Sequence, residues 1–308
     1  MAWVKKGLIF HTDNTLPWMV SRASFPTALL LGDVIRIYFS CVGPEKKSLM
    51  TFVDVDAANP TQIIRLNERP LIEPGRPGTF DDSGTQPNCV LEHEGKVYLY
   101  YLGWNLAVTV STRNNTGLAI SEDGGATFRK AFEGPVLDRN IHEPYFAYTP
   151  FILIEDGVWH CWYGSGTGWE MVNGKTEGHF EIKYATSQDG IHWERPNITC
   201  IHPAYPSEVN CRPTLVKDGD TYKMWYSYRG MEGFRDGRNS YRIGYAESKD
   251  RVTWERLDGK AGLDVSPTGW DQEMVGYCSV IDVGERRLMF YNGNGFGATG
   301  FGYAEWAP

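Results

Sequence analysis

Four carboxylates in the 308-residue chain recur at one place in a repeated pattern: Asp82, Glu143, Glu208 and Glu273. Each stands five to seven residues ahead of an aligned proline or serine that opens an apolar, strand-like run. Asp81 and Asp271 accompany the first and the last. Carboxylates crowded into a concave site repel one another, so one is held protonated while its neighbour stays ionised. Such a pair can cleave a glycosidic bond, the acid protonating the leaving oxygen while the base activates water or attacks the anomeric carbon. A plainer role is also open to each of these acids, capping a turn or pairing with an arginine.

Other side chains suit a polar sugar pocket. Arg22, Arg212 and Arg229 could each fork onto a carboxylate or phosphate, or pair with a nearby acid instead. His142 abuts Glu143 and could bond a hydroxyl. Asn88, Asn292 and Asn294 offer donor and acceptor together. Trp104, Trp169, Trp270, Tyr145 and Phe296 fall in or beside irregular segments and could stack on a sugar ring, and Asp271 is a further binding candidate. Trp162 and Trp225 fall inside strand-like runs and read as core.

The elements that must position these residues form an internal repeat. "FPTALLLGDVIRIYFS", "QPNCVLEHEGKVYLYYLG", "TPFILIEDGVWHCWYG", "RPTLVKDGDTYKMWYS" and "CSVIDVGERRLMFYNG" each read as an apolar strand, a turn and an aromatic strand. Aligned on Tyr38, Tyr100, Tyr163, Tyr226 and Tyr291, they are spaced by 62, 63, 63 and 65 residues. Pro26, Pro87, Pro150 and Pro213 stand at the first strand's opening, where a missing N–H breaks no ladder bond. A second hairpin follows in "GLAISEDGGATF", "IKYATSQDGIHW" and "IGYAESKDRVTW", with Asp-Gly turns in two of them. The first copy matches the Asp box of sialidase-type propellers and reads as a turn with an aromatic anchor. Two hairpins per repeat predict an all-β fold, a five-bladed β-propeller of four-stranded antiparallel blades. The last repeat ends about three strands in, so "AWVKKGLIF" is expected to supply the missing strand and close the ring. One domain over residues 1–308 is expected. First strands running the same way would gather the four acids at one mouth of the central channel.

Composition narrows the function classes. Hydrophobic residues make up 42% and charged residues 22%, a globular balance with ample core. The formal net charge of −8 and the lack of a long basic run argue against nucleic acid as partner. No run is long enough to span a membrane, and no signal-like segment opens the chain, so a cytoplasmic protein without a membrane partner is expected. The six cysteines form no CxxC; three sit inside apolar strand-like runs and read as small hydrophobes, and Cys200 and Cys211 could pair. No phosphate loop, dinucleotide fingerprint or zinc spacing is present, so no cofactor is expected and no metal site is nominated, with calcium on carboxylates and carbonyls left open although no EF-type loop signals it.

The phrases "YLYYLGWN", "EPYFAYTP", "RPTLVKDGDTYKMWYSYRG", "YRIGYAESKD", "GWDQEM" and "LMFYNGNGFGATGFGYA" resemble the five-bladed propeller glycosidases, glycoside hydrolase families 32, 43, 62, 68 and 130 among them. The resemblance spans nearly the whole chain and implies a carbohydrate-active enzyme on a sugar or oligosaccharide. Families 32 and 43 place a catalytic Asp at the start of the first blade, an Asp in the middle and a Glu later. Here Arg22 occupies the close first-blade position and Asp13 lies further back. Asp82 would match the middle Asp, and Glu143 or Glu208 the acid. Family 130 phosphorylases hold phosphate with basic residues, a part open to Arg22 and Arg212. The resemblance thus leaves hydrolysis, phosphorolysis, transfer and simple sugar binding as readings.

Overall fold

The computed structural model describes residues 2–13, 16–237 and 239–307. The alternating and apolar runs form strands throughout. β1 (Ala2–Phe10) precedes the first hairpin pair, β2 (Ser21–Leu31), β3 (Val34–Val42), β4 (Ser48–Asp56) and β5 (Ile63–Leu66). Next come β6 (Gly84–His93), β7 (Lys96–Leu106), β8 (Thr112–Ser121) and β9 (Arg129–Lys130). The third set is β10 (Ala147–Glu155), β11 (Val158–Val172), β12 (Lys175–Ser187) and β13 (Glu194–Ile201). The fourth is β14 (Glu208–Asp218), β15 (Thr221–Gly230), β16 (Arg242–Ser248) and β17 (Glu255–Arg256). The last is β18 (Gly276–Val283), β19 (Arg286–Asn292) and β20 (Phe301–Ala307), which β1 joins by pairing antiparallel with β20. Within each set the strands pair antiparallel in chain order. A single parallel bridge, Ser48 to Gly84, links the first set to the second.

The first strand of every set carries a bulge at the same place, one extra residue that bends the strand and re-aims its side chains. Phe25, Thr149, Arg212 and Tyr277 sit at this bulge with φ of 57°, 48°, 54° and 54°, a region bulky L residues avoid. The first ladder pairs beyond it are Thr27–Tyr38, Cys89–Tyr100, Phe151–Trp162, Thr214–Trp225 and Ser279–Phe290. That register corrects the tyrosine alignment. Tyr38 and Tyr100 correspond to Trp162, Trp225 and Phe290, one residue before Tyr163, Tyr226 and Tyr291. Pro26, Pro150 and Pro213 directly precede the pair, whereas Pro87 stands two residues before Cys89. Trp162 and Trp225 are fully buried, as core residues should be.

Small polar side chains just beyond the bulge stitch one first strand to the next. Ser279 Oγ accepts from Ala28 N at 3.2 Å, Thr214 Oγ1 from Val280 N at 3.0 Å and Cys89 Sγ from Ile152 N at 3.3 Å. Arg212 completes the network. Its side chain is 1% exposed and donates to Pro26 O (3.2 Å), Thr27 Oγ1 (2.7 Å), Pro87 O (3.2 Å), Asn88 O (2.5 Å) and Asn88 Oδ1 (3.0 Å). Its backbone N–H reaches Thr149 Oγ1 at 3.3 Å. The guanidinium thereby joins β14 to β2 and β6, and the backbone N–H of the same residue joins it to β10. Burial pulls its pKa down to about 10, so it remains charged at neutral pH.

The second hairpins form as read. Asp123 Oδ1 accepts from the backbone N–H of Ala126 and Thr127, and Asp189 and Asp250 repeat the arrangement in their own turns. The Asp box copy is therefore a turn. The six cysteines are buried and free, so Cys200 and Cys211 form no disulfide. Among the described residues, no helix is long and apolar enough to cross a membrane.

Replacing Arg212 by Met would remove a charge that several buried oxygens share. Unpairing those oxygens is expected to cost about 3–5 kcal/mol, read as a lower urea midpoint; an unchanged midpoint would reject the strut.

Candidate functional site

The recurring acids are resolved by their partners. Asp81, Glu143, Glu208 and Asp271 are each 2% exposed or less. Each pairs with a cation on the last strand of its own sheet. Lys130 on β9 meets Asp81 at 2.5 Å, Arg195 on β13 meets Glu143, Arg256 on β17 meets Glu208 at 2.5 Å, and Lys5 on β1 meets Asp271 at 2.6 Å. A second-strand tyrosine completes the clamp: Tyr101 donates to Asp81, Tyr163 to Glu143 and Tyr291 to Asp271. In the fourth sheet Tyr226 donates to Asp258, which shares Arg256 with Glu208. In four of the five sets, an acid at the entry to the first strand is tied to the outermost strand in this way.

Glu143 shows the electrostatics. Burial pushes its pKa up, but the hydrogen bond and charge of Arg195, with the Tyr163 hydroxyl, outweigh burial and hold it below the usual carboxylate value. Ser165 Oγ donates to it as well, at 3.0 Å. An acid held ionised in this way is poorly suited to protonate a leaving group. Glu208 accepts from Ala204 N in addition to Arg256.

The structure does not bring the four nominated carboxylates to a shared partner among the described residues. Asp82 is half-buried and accepts from Gly78 N at 2.8 Å and Ser83 Oγ at 2.9 Å. Glu273 is exposed, and its carboxyl group packs beside Gly237, where an added Cβ would lie 3.1 Å from Cδ. Its backbone N–H is held by Asn294 Oδ1 at 2.8 Å.

A cavity of about 440 Å³ opens instead where β2, β6 and β18 begin. We refer to it as the β2–β18 cavity. Arg22, Trp104 and Phe296 line it, as does the stacked pair Phe25–Tyr277, with ring centroids 4.2 Å apart. The Arg212 guanidinium carbon lies 5.7 Å from the Phe25 ring centre. Lys46 and Arg235 also line the cavity. Ser48 Oγ accepts from Trp104 Nε1 at 3.2 Å and Gln86 Nε2 at 3.3 Å, which fixes two polar walls. Among the described residues, none that lines it is acidic.

Backbone strain concentrates here. Among the described residues, twelve other than glycine have left-handed φ, and five of them line this cavity: Arg22 (64°), Phe25 (57°), Lys46 (60°), Tyr277 (54°) and Phe296 (60°). Such conformations cost of order 1–3 kcal/mol each and gather where function requires a fixed geometry.

Of the residues nominated from sequence, Arg22, Trp104 and Phe296 therefore stand in the cavity. Arg212 and Asn88 are corrected to the internal strut, since the guanidinium donates to Asn88 and to buried carbonyls. Asp271 is corrected to a clamp. Arg229 is 5% exposed and stacks 3.6 Å from the centre of the Phe234 ring, out of reach as a substrate clamp. Trp169 packs edge-on against Phe146 at 5.5 Å. Asn294 holds the Glu273 and Met274 N–H groups, and Asn292 accepts from Phe25 N at 3.0 Å. His142 is exposed on a turn held by Asn140. Lys46 and Arg235 were missed. Each lies in a turn or loop, where no periodic signal marks a site residue. Among the described residues, no group of three or more His, Cys, Asp or Glu could hold a metal ion.

No protein-family model matches the chain. Two Mycobacterium tuberculosis relatives, "Uncharacterized protein MT1551" (strain CDC 1551 / Oshkosh) and "Uncharacterized protein Rv1502" (strain ATCC 25618 / H37Rv), are each 38% identical over 99% of both chains. Among solved structures, a glycoside hydrolase superposes with a TM-score of 0.75 at 18% identity, covering 98% of this chain and 90% of that one. A thermostable family-43 glycoside hydrolase gives 0.68 at 16% identity, covering 96% and 91%. An alpha-L-arabinofuranosidase from Lactobacillus brevis gives 0.69 at 11%, covering 97% and 94%. The likeness shows the fold, that of the β-propeller glycosidases of the family 43 and 32 type.

The clamp carries a sign-definite expectation. A folded pKa below the unfolded value stabilises the protein above the unfolded pKa, and that stability is lost as pH falls through the folded value. Glu143→Gln should therefore cost about 3 kcal/mol at pH 7. The gap to the parent should narrow below about pH 4. Urea unfolding at both pH values checks this, and equal stability at pH 7 would overturn the clamp.

Proposed function

The protein belongs to the family of the two Mycobacterium tuberculosis proteins, and from that premise we propose a single-domain, five-bladed β-propeller that acts on a glycosidic bond in its β2–β18 cavity. The five-bladed reading is supported by the five bulged first strands and the stitching between them. Ring closure by the N-terminal strand is supported twice over, by β1 pairing with β20 and by Lys5 filling the cation position that the outermost strand supplies elsewhere.

The observation that carries the catalytic reading is the cluster of left-handed residues around one cavity. A sugar would stack on Trp104, with Gln86 and the neighbouring hydroxyls available to its own hydroxyls. Two of the nominated acids lie outside the clamps. Asp82 adjoins the Trp104 wall, since Ser83 Oγ, which bonds Asp82, also accepts from Leu106 N at 3.3 Å. Glu273 adjoins the Arg235 loop through Gly237. Glu273 is the proposed general acid and Asp82 its counterpart. The glycosidase names of the structural neighbours support the same substrate class.

A second reading, sugar binding without cleavage, is favoured by the absence of an acidic side chain among the described residues lining the cavity. Turnover of an oligosaccharide and aryl-glycoside panel, with and without phosphate, separates the two. Glu273→Gln is expected to lower kcat by about 100-fold or more with folding intact. Dependence on added phosphate would identify phosphorolysis. Tight binding with no product after long incubation would establish the binding reading, and unchanged turnover in both Glu273→Gln and Asp82→Asn would remove these acids from the mechanism.

A further inference from the structure

We propose that the sugar bound in the β2–β18 cavity carries its own negative charge, as a uronate carboxylate or a phosphate ester; the inference rests on the cavity being the carbohydrate site.

Three cations reach this one cavity, in a protein whose formal net charge is −8. Arg22 is an exposed residue at the start of β2, with its guanidinium carbon 5.9 Å from the Phe296 ring centre. Lys46 enters from the turn between β3 and β4, where its N–H bonds Gly43 O at 3.0 Å. Arg235 enters from the loop after β15. Its Nε and Nη2 both donate to Glu177 Oε1, at 2.9 and 2.7 Å. Glu177 therefore offsets and orients this third cation from outside the cavity lining.

Arg22 and Lys46 are both held in the left-handed region, at φ 64° and 60°. At Lys46 the hairpin turn itself calls for this conformation, since Gly43 O accepts the Lys46 N–H and Gly43 N bonds Lys47 O, whereas Arg22 takes it at the ladder irregularity between Ser21 and Ser24 of β2. A backbone that fixes where the side chain leaves the chain is useful when the charge must meet a partner at a set place. Neutral sugars are recognised by hydroxyl and amide groups and by stacking. Leaving cations in a concave wall without a facing acid costs repulsion unless the ligand returns the charge. A planar guanidinium matches a carboxylate or phosphate in two parallel hydrogen bonds, and Trp104 remains available to the ring of the same ligand.

Calorimetry with four probes tests the proposal: D-glucuronate, glucose 1-phosphate, D-glucose and inorganic phosphate. The parent protein is expected to bind one of the two charged sugars at least tenfold more tightly than glucose, and more tightly than inorganic phosphate. The preferred probe distinguishes carboxylate from phosphate ester. Arg22→Gln with Lys46→Gln should weaken that probe by roughly 10- to 100-fold and bring it near glucose, and added salt should weaken the parent's binding in the same direction. Trp104→Ala should weaken charged and neutral sugars alike.

Equal binding of charged and neutral sugars, lost on Trp104→Ala, would overturn the charge inference and leave the sugar site standing. Inorganic phosphate binding as tightly as the sugar phosphate would also overturn it, by identifying a separate phosphate site. Binding of a charged sugar that neither variant affects would place the site elsewhere and overturn both.

Discussion

A lone guanidinium at the meeting point of the first strands sets what the surrounding residues can do. Burying a charge without a carboxylate is tolerated only when hydrogen-bond acceptors replace its water. Arg212 meets that condition at Nη1 and Nη2 with oxygens from Pro26, Thr27, Pro87 and Asn88, while its buried Nε has no partner among the described residues. Those oxygens point inward because the bulge turns each first strand at the same level. The bulge in turn places Phe25 and Tyr277 as a stacked pair between the strut and the cavity. The cavity's inner wall is thus a consequence of the strut: if the strands separated at this level, the Phe25–Tyr277 pair would lose its support.

The clamps solve a different problem at the other side of each sheet. An outermost strand such as β9 or β17 has only two residues and little ladder to hold it. A cation on that strand, meeting a buried acid on the loop that enters the sheet, fixes both at once. The tyrosine between them contributes a hydroxyl donor and a ring, so that Arg195 lies 5.5 Å from the centre of Tyr163 while paired with Glu143. Breaking one partner would leave a buried charge unpaired, which is costlier than the pair is stabilising. Such acids repeat with the sheets because the mechanical need repeats with the sheets.

This explains how much of the molecule was legible in its sequence. Hairpins were legible because period-two apolar runs and Asp-Gly turns are local signals. The joining of β1 to the last sheet was legible as a missing strand. The tyrosine alignment slipped by one because adjacent aromatics, Tyr100-Tyr101 and Trp162-Tyr163, offer two registers to an eye matching letters. Only the ladder, which puts Cys89 opposite Tyr100 and Phe151 opposite Trp162, decides between them. The acids were found but their use was not. A catalytic acid and a clamp acid look alike in sequence, and the cations that commit them, Arg195 and Arg256, lie about fifty residues away.

Lys46 and Arg235 were invisible for a related reason: nothing in their local sequence announces a shared cavity wall. What distinguishes the cavity from the clamps is the direction in which charge is balanced. In each clamp the acid is buried and its cation reaches inward from the edge, so the charges cancel within the protein. Around the β2–β18 cavity three cations line the wall, and Glu177 pairs with one of them, Arg235, from outside the lining. A site whose internal charges already cancel presents little net field to a ligand, whereas one left positive attracts and orients an anion. The same fold can therefore keep Asp81, Glu143, Glu208 and Asp271 for architecture and leave recognition to bases, so that of the repeated acids Asp82, Glu143, Glu208 and Glu273 only Asp82 and Glu273 stay open to the proposed chemistry.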